Sequence, residues 1–185
     1  LGDEDAVQFA AHRLDALAHL GVDIIWISPI YRSPQADNGY DISDYCAIDP
    51  AMGTMEDFDE LVAALAEHGI SPMLDMVLNH VSTEHEWFQR ALAGEQRYRD
   101  YFYIRPSRPD GSLPTNWVSK FGGPAWAPFT GARAVDPEAS RHAVVGADDA
   151  AGPATDADAP AAEQVEYYLH LFDPTQADLD WHNPE

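Results

Sequence analysis

The chain has 185 residues, 45% hydrophobic and 11% aromatic, which is enough apolar material for the core of an ordinary domain and too much for a disordered tail. Thirty-two Asp and Glu stand against ten Lys and Arg, and the formal charge of -22 repels phosphate backbones and anionic membrane surfaces, so nucleic acid and membranes are poor partners. Cys46 is the only cysteine, which excludes an intrachain disulfide and a cysteine-built zinc or iron–sulfur cluster. No apolar run approaches the roughly 20 residues of a membrane span, and a cytoplasmic protein is expected.

Apolar residues at Val7, Ala10, Leu14, Leu17 and Leu20 recur at helical spacing, and Gly21 suits the position just past a helix end. The chain opens on Leu1 with this pattern following almost at once, so it reads as part of a longer protein. Val22-Asp23-Ile24-Ile25-Trp26-Ile27 is a nearly continuous apolar run stopped by Pro29, as expected of a strand buried on both faces in a parallel sheet. Residues 31–53 form a loop rich in turn formers. Thr54 and Asp57 resemble a helix-capping pair, with Asp in place of the usual Glu. Phe58, Leu61, Val62 and Leu65 then share a helical face that Gly69 ends. Pro72-Met73-Leu74-Asp75-Met76-Val77-Leu78 is a second buried strand.

This alternation predicts an α/β fold with a parallel sheet. After His80 the rhythm disappears, and aromatics, Pro and Gly dominate residues 87–126. Residues 132–162 are rich in Ala, Asp and Pro and read as a flexible insertion. Order is expected to return at Tyr167-Tyr168-Leu169-His170-Leu171-Phe172.

Functional groups in parallel β/α folds gather where the carboxyl ends of strands meet the loops. Asp37-Asn38-Gly39-Tyr40-Asp41 follows the first strand, and Asn79-His80 follows the second, so the two clusters are expected on one rim. Carboxylate, amide, imidazole and phenol together suit a polyhydroxylated ligand. Hydroxyls need bidentate acceptors and donors, and the C–H face of a sugar stacks on an aromatic ring. Asn-Gly is also a common turn, and Tyr40 also fits simple packing. Asp75 inside an apolar strand needs a cation or several donors, and a structural ion pair and a site role both stand for it.

Three segments carry a resemblance: Asp37 to Tyr45, Gly53-Thr54-Met55-Glu56-Asp57-Phe58, and Asp75-Met76-Val77-Leu78-Asn79-His80. They resemble the α-amylase superfamily, glycoside hydrolase family 13, and within it the α-glucosidase and oligo-1,6-glucosidase branch. His85-Glu86-Trp87-Phe88, Tyr168-Leu169-His170-Leu171-Phe172 and Asp180-Trp181-His182-Asn183-Pro184-Glu185 follow in the matching order.

The resemblance implies a retaining glycosidase on a (β/α)₈ TIM barrel, of which this chain holds the second and third strands and an inserted domain B. The implied boundaries are 1–80 for the barrel portion, 81–175 for domain B with its insertion at about 132–162, and 176–185 for the return toward the barrel. The nucleophilic Asp and the acid/base Glu of such enzymes lie beyond Glu185. No catalytic residue is therefore expected in this chain, which would need the remainder of the barrel to turn over an oligosaccharide. Asp37 resembles the carboxylate that binds hydroxyls of the terminal glucose. Tyr40 resembles the ring beneath that sugar, and His80 the imidazole that donates to its 6-hydroxyl. Phe172 and Gln176 resemble residues that close the same subsite. Asp75 and Asn79 resemble a supporting pair, with Asn79 near the calcium position used by many amylases.

The family's usual Gln-Pro-Asp-Leu-Asn runs here as Gln176-Ala177-Asp178-Leu179-Asp180. Relatives often carry a metal loop before the first helix, but Gly2-Asp3-Glu4-Asp5 is truncated and out of register, so no metal and no cofactor are expected. His80 and His85 do not form a His-Glu-x-x-His zinc helix. Asp148, Asp149, Asp156 and Asp158 lack the spacing of a calcium loop. Trp117, Phe121 and Trp126 are expected to pack within domain B rather than line a sugar entrance. Two alternatives accompany a hydrolase of terminal α-linked glucose: a transglycosylating relative of the trehalose synthase or sucrose isomerase type, and a non-catalytic glycosidase-like interaction module.

Overall fold

The computed structural model describes residues 13–130 and 165–184. The chain divides into two units, Leu1–Leu78 and Asn79–Glu185. The 132–162 insertion, its four aspartates, the Gly2–Asp5 segment and the first turns of the expected helix lie outside the described residues.

In the first unit, α1 (Leu14–His19) leads to β1 (Ile24–Ile27), and α2 (Met55–Glu67) leads to β4 (Ser71–Leu74). β1 and β4 pair in parallel, with Ile24 opposite Ser71 and Ile27 opposite Leu74. Leu61 and Leu65, one helical turn apart on α2, bury against Leu14 and Ile70, and Leu17, Val22, Ile25 and Ile27 pack around them. The capping pair forms as its sequence predicts. The Thr54 hydroxyl accepts from the Asp57 backbone N–H at 3.2 Å, and the Asp57 carboxylate accepts from the Thr54 N–H at 2.8 Å. Two N–H groups at the start of α2 are thereby satisfied.

The loop between β1 and α2 is more regular than its turn formers predict. It contains β2 (Tyr31–Arg32) and β3 (Asp44–Ile48), paired antiparallel with a register shift between Tyr31 and Arg32. The two apolar runs predict strands buried on both faces, and here the structure differs. Ile24 and Trp26 are 54% and 56% exposed, and Met73 and Met76 are 51% and 72% exposed. Continuous apolar sequence marks faces that a wider sheet covers, and among the described residues each of these strands pairs only with the other. β4 also stops at Leu74, so Asp75 follows the strand instead of lying within it.

In the second unit, β5 (His80–Ser82) pairs antiparallel with β9 (Gln176–Asp178). Between them come α3 (Glu86–Leu92) and α4 (Gln96–Arg99), followed by β6 (Ile104–Pro106), β7 (Trp126–Pro128) and β8 (Glu166–Leu169) in an antiparallel sheet of order β6-β8-β7. Phe88 of α3, almost fully buried, meets Phe102, Phe129 and Tyr168 edge to face at 4.9 to 5.6 Å between ring centroids. Trp126 is buried in β7 and donates its indole N–H to the Thr115 hydroxyl at 2.7 Å, so it packs within this unit as expected, whereas Trp117 and Phe121, expected to pack likewise, are 53% and 63% exposed. Among the described residues no helix is long and apolar enough to cross a membrane.

Candidate functional site

The residues that follow β1 are shaped by a tight turn. The Tyr40 N–H donates to the Asp37 carbonyl at 2.9 Å, and Asn38 and Gly39 between them have φ of +51° and +92°. Both central residues are left-handed, a conformation that Asn and Gly adopt at least cost. Gly39 is also sterically required, because a Cβ there would sit 3.0 Å from the Pro29 carbonyl oxygen. The turn therefore places Asp37 and Tyr40 side by side at its base.

Asp41 secures this loop from beneath. Its fully buried carboxylate accepts from the Ser33 hydroxyl at 2.9 Å and from the Ala36 and Asp37 N–H groups at 3.0 Å each. The Tyr40 hydroxyl donates to Asp75 at 2.8 Å. That bond, then desolvation and the charges of Asp75 and Asp37, push the Tyr40 phenol above its ordinary value, so it stays protonated and donating. Asp75 is thus a tyrosine acceptor, and among the described contacts no ion pair involves it. The half-exposed Asp37 carboxylate beside the Tyr40 ring offers a hydroxyl acceptor and an apolar face.

In the second unit His80 is buried, and its ring lies 5.3 Å from that of Phe172. Phe172 in turn meets Phe121 at 5.9 Å, so Phe121 extends this aromatic surface while remaining largely exposed. The Ser119 hydroxyl donates to the Phe172 carbonyl at 2.6 Å and holds the segment that carries the ring. Gln176, fully buried in β9 opposite Ser82, accepts from the Asp173 N–H at 2.8 Å through Oε1. The Asn79 amide nitrogen donates to Asp178 at 3.0 Å and lies 3.3 Å from His80 Nδ1. Asp178 also accepts from the Leu171 N–H at 3.2 Å, yet burial outweighs both bonds and pushes its carboxyl up to about 6.

The sequence-predicted residues therefore fall in two sets, Asp37, Tyr40 and Asp75 in the first unit and Asn79, His80, Phe172 and Gln176 in the second. Tyr40 meets Asp75, Asn79 approaches His80, and His80 meets Phe172. Asp41 and Asp178 are the supports that the sequence reading missed. Only the pairing of β5 with β9 brings Asp178 opposite His80. A cavity of about 910 Å3 in the second unit, lined in part by Arg97, Arg99, Arg105 and His182, includes none of the candidate residues.

Parallel pairing of β1 with β4, each preceded by a helix, defines the first unit as an α/β protein of parallel-strand type. The chain belongs to the alpha-amylase catalytic-domain family, which matches residues 7–131. It is 46% identical over 171 residues to the trehalose-6-phosphate hydrolase of Escherichia coli K12, covering 92% of this chain and 25% of that protein. It is 41% identical over 172 residues to the oligo-1,6-glucosidase of Bacillus cereus, again with 92% and 25% covered. The trehalulose synthase MutB from Pseudomonas mesoacidophila MX-45 superposes with a TM-score of 0.76 at 38% identity, covering 100% of this chain and 28% of MutB. The chain thus spans about a quarter of the length of these relatives.

Proposed function

We propose that this chain supplies the terminal-glucose recognition groups of a retaining α-glucosidase that acts on short oligosaccharides in the cytoplasm. Asp37 accepts hydrogen bonds from the sugar's hydroxyls, and the Tyr40 ring stacks on its C–H face. His80 donates to a hydroxyl and Phe172 closes the subsite, while the buried Gln176, expected from the resemblance to close it too, instead braces the segment carrying Phe172 by accepting from the Asp173 N–H. Residues 1–80 belong to the barrel, 81–175 to an inserted domain B and 176–185 to the return, and the nucleophilic Asp and acid/base Glu come from chain beyond this segment. The observation that supports this reading is the hydrogen bond from Tyr40 to Asp75 beside the Asp37 turn, which holds an aromatic ring next to a half-exposed carboxylate. Hydroxyl contacts that tighten as the sugar ring flattens toward an oxocarbenium ion lower the barrier to bond cleavage.

Product analysis of the full-length protein on maltose, isomaltose, sucrose and trehalose 6-phosphate tests the reading. Release of α-glucose from at least one of the first three is expected, and no turnover of any of them would overturn it. The 46% identity to a trehalose-6-phosphate hydrolase favours the phosphorylated disaccharide as a second substrate class. The likeness to a trehalulose synthase favours transfer as the competing outcome, seen as an isomerised disaccharide instead of free glucose.

A further inference from the structure

We propose that Asp178 is a positioning residue for His80, acting through the Asn79 amide to keep the imidazole proton on Nε2. The inference rests on the reading of His80 as a sugar-hydroxyl donor, and it names the group that makes it one.

An ionised carboxylate only accepts hydrogen bonds, so the side of an amide that faces it must be the nitrogen. Asp178 therefore fixes which way Asn79 points. Its carboxylate lies 3.0 Å from the Asn79 amide nitrogen, and the reverse orientation would set two oxygens against each other. The same nitrogen has a second hydrogen, and 3.3 Å away lies Nδ1 of His80. A ring nitrogen that receives an N–H must carry a lone pair, so in the neutral imidazole the proton resides on Nε2.

The backbone leaves little freedom for another arrangement. His80 and Asp178 are register partners across the β5–β9 pair, and the Leu179 N–H donates to the Asn79 carbonyl at 2.9 Å. The Leu171 N–H, next to Phe172, donates to the same Asp178 oxygen at 3.2 Å. One carboxylate thus ties the amide that faces the imidazole to the segment bearing the ring packed on it. Asp178 is 3% exposed; burial pushes its carboxyl up to about 6, and the Leu171 and Asn79 N–H groups that donate to it favour the ionised form.

The test is the 15N resonance pattern of His80 in the full-length protein, with kcat/KM on p-nitrophenyl α-glucoside measured in parallel. Wild type is expected to show a single Nε2–H form. Asn79→Asp places an acceptor beside Nδ1 and is expected to move the proton there. Asp178→Asn no longer dictates the orientation of the Asn79 amide, so mixed forms and a loss of about 10-fold in kcat/KM are expected, whereas on a His80→Ala background the same substitution is expected to add little to the larger loss already caused by His80→Ala. A wild-type proton on Nδ1 would overturn the proposal without any variant needing to fold, and so would an unchanged Nε2–H form in Asp178→Asn. If the proton moves as expected while His80→Ala retains full activity, the positioning role stands and the sugar-donor reading of His80 fails.

Discussion

At His80, burial against Phe172 leaves a side chain whose removal deletes a donor and part of an aromatic surface together. His80→Ala in the full-length protein is expected to lower kcat/KM by about 10²-fold, the loss of a contact made in the transition state; steady-state kinetics on maltose checks this, and near wild-type values would remove the assigned role. Asp178 makes a second, independent prediction. Its carboxyl titrates near 6 instead of its ordinary 3.8 because of burial, so the folded protein holds this proton more tightly than the unfolded chain. Between about pH 4 and 6 the unfolded state releases the proton first, so this group's contribution to stability is greatest at low pH, falls across that window and stays low above it. Asp178→Asn removes the decline. Thermal melts should place the variant higher relative to wild type at pH 8 than at pH 4.5, and a constant difference would contradict the shift.

Among the elements, α2 was readable because three signals coincide: a capping pair, an apolar stripe and a closing glycine. Its period is set by the helix itself, so the sequence alone reveals it. Thr54→Ala is expected to cost about 1 kcal/mol, by denaturant titration, since the Asp57 N–H loses its acceptor. The short elements were less legible. β2 spans two residues and β5 three, and α4 covers a single turn, so none is long enough to show a period. They exist because tertiary partners satisfy their backbones, as when β9 arrives beside β5 from nearly a hundred residues away. For the same reason Asp37, Tyr40, His80 and Phe172 are candidates through motif resemblance alone, whereas Asp178 becomes one only through that strand pairing. Asp75 shows the opposite failing. Its apolar neighbours suggested a strand interior, but the strand stops one residue earlier and a tyrosine hydroxyl answers it.

For the molecule as a whole, the apolar side chains that β1 and β4 leave exposed carry the clearest consequence. Ile24 and Trp26 of β1, Met73 of β4 and Met76 just after it bring large hydrophobic surface to water. The 185-residue chain produced alone is expected to bind an apolar dye such as anilinonaphthalene sulfonate. Trp26→Glu combined with Met73→Glu should reduce that fluorescence; unchanged binding would locate the sticky surface elsewhere. The acidic composition works with this exposure, since a charge of -22 opposes self-association at low salt and is screened as salt rises.

The antiparallel pairing of β7 with β8 fastens Pro128 to Tyr167 and Trp126 to Leu169, and the Phe129 N–H adds a bond to the Glu166 carbonyl. A clasp of this kind makes the peptide length between its two jaws almost a free variable, because the entropy of closing a loop grows only logarithmically, by roughly 0.6 kcal/mol for each doubling. Excising residues 137–161 should therefore leave the melting temperature of the full-length protein within a few degrees of the parent, and a collapse of folding would show that this stretch does more than connect.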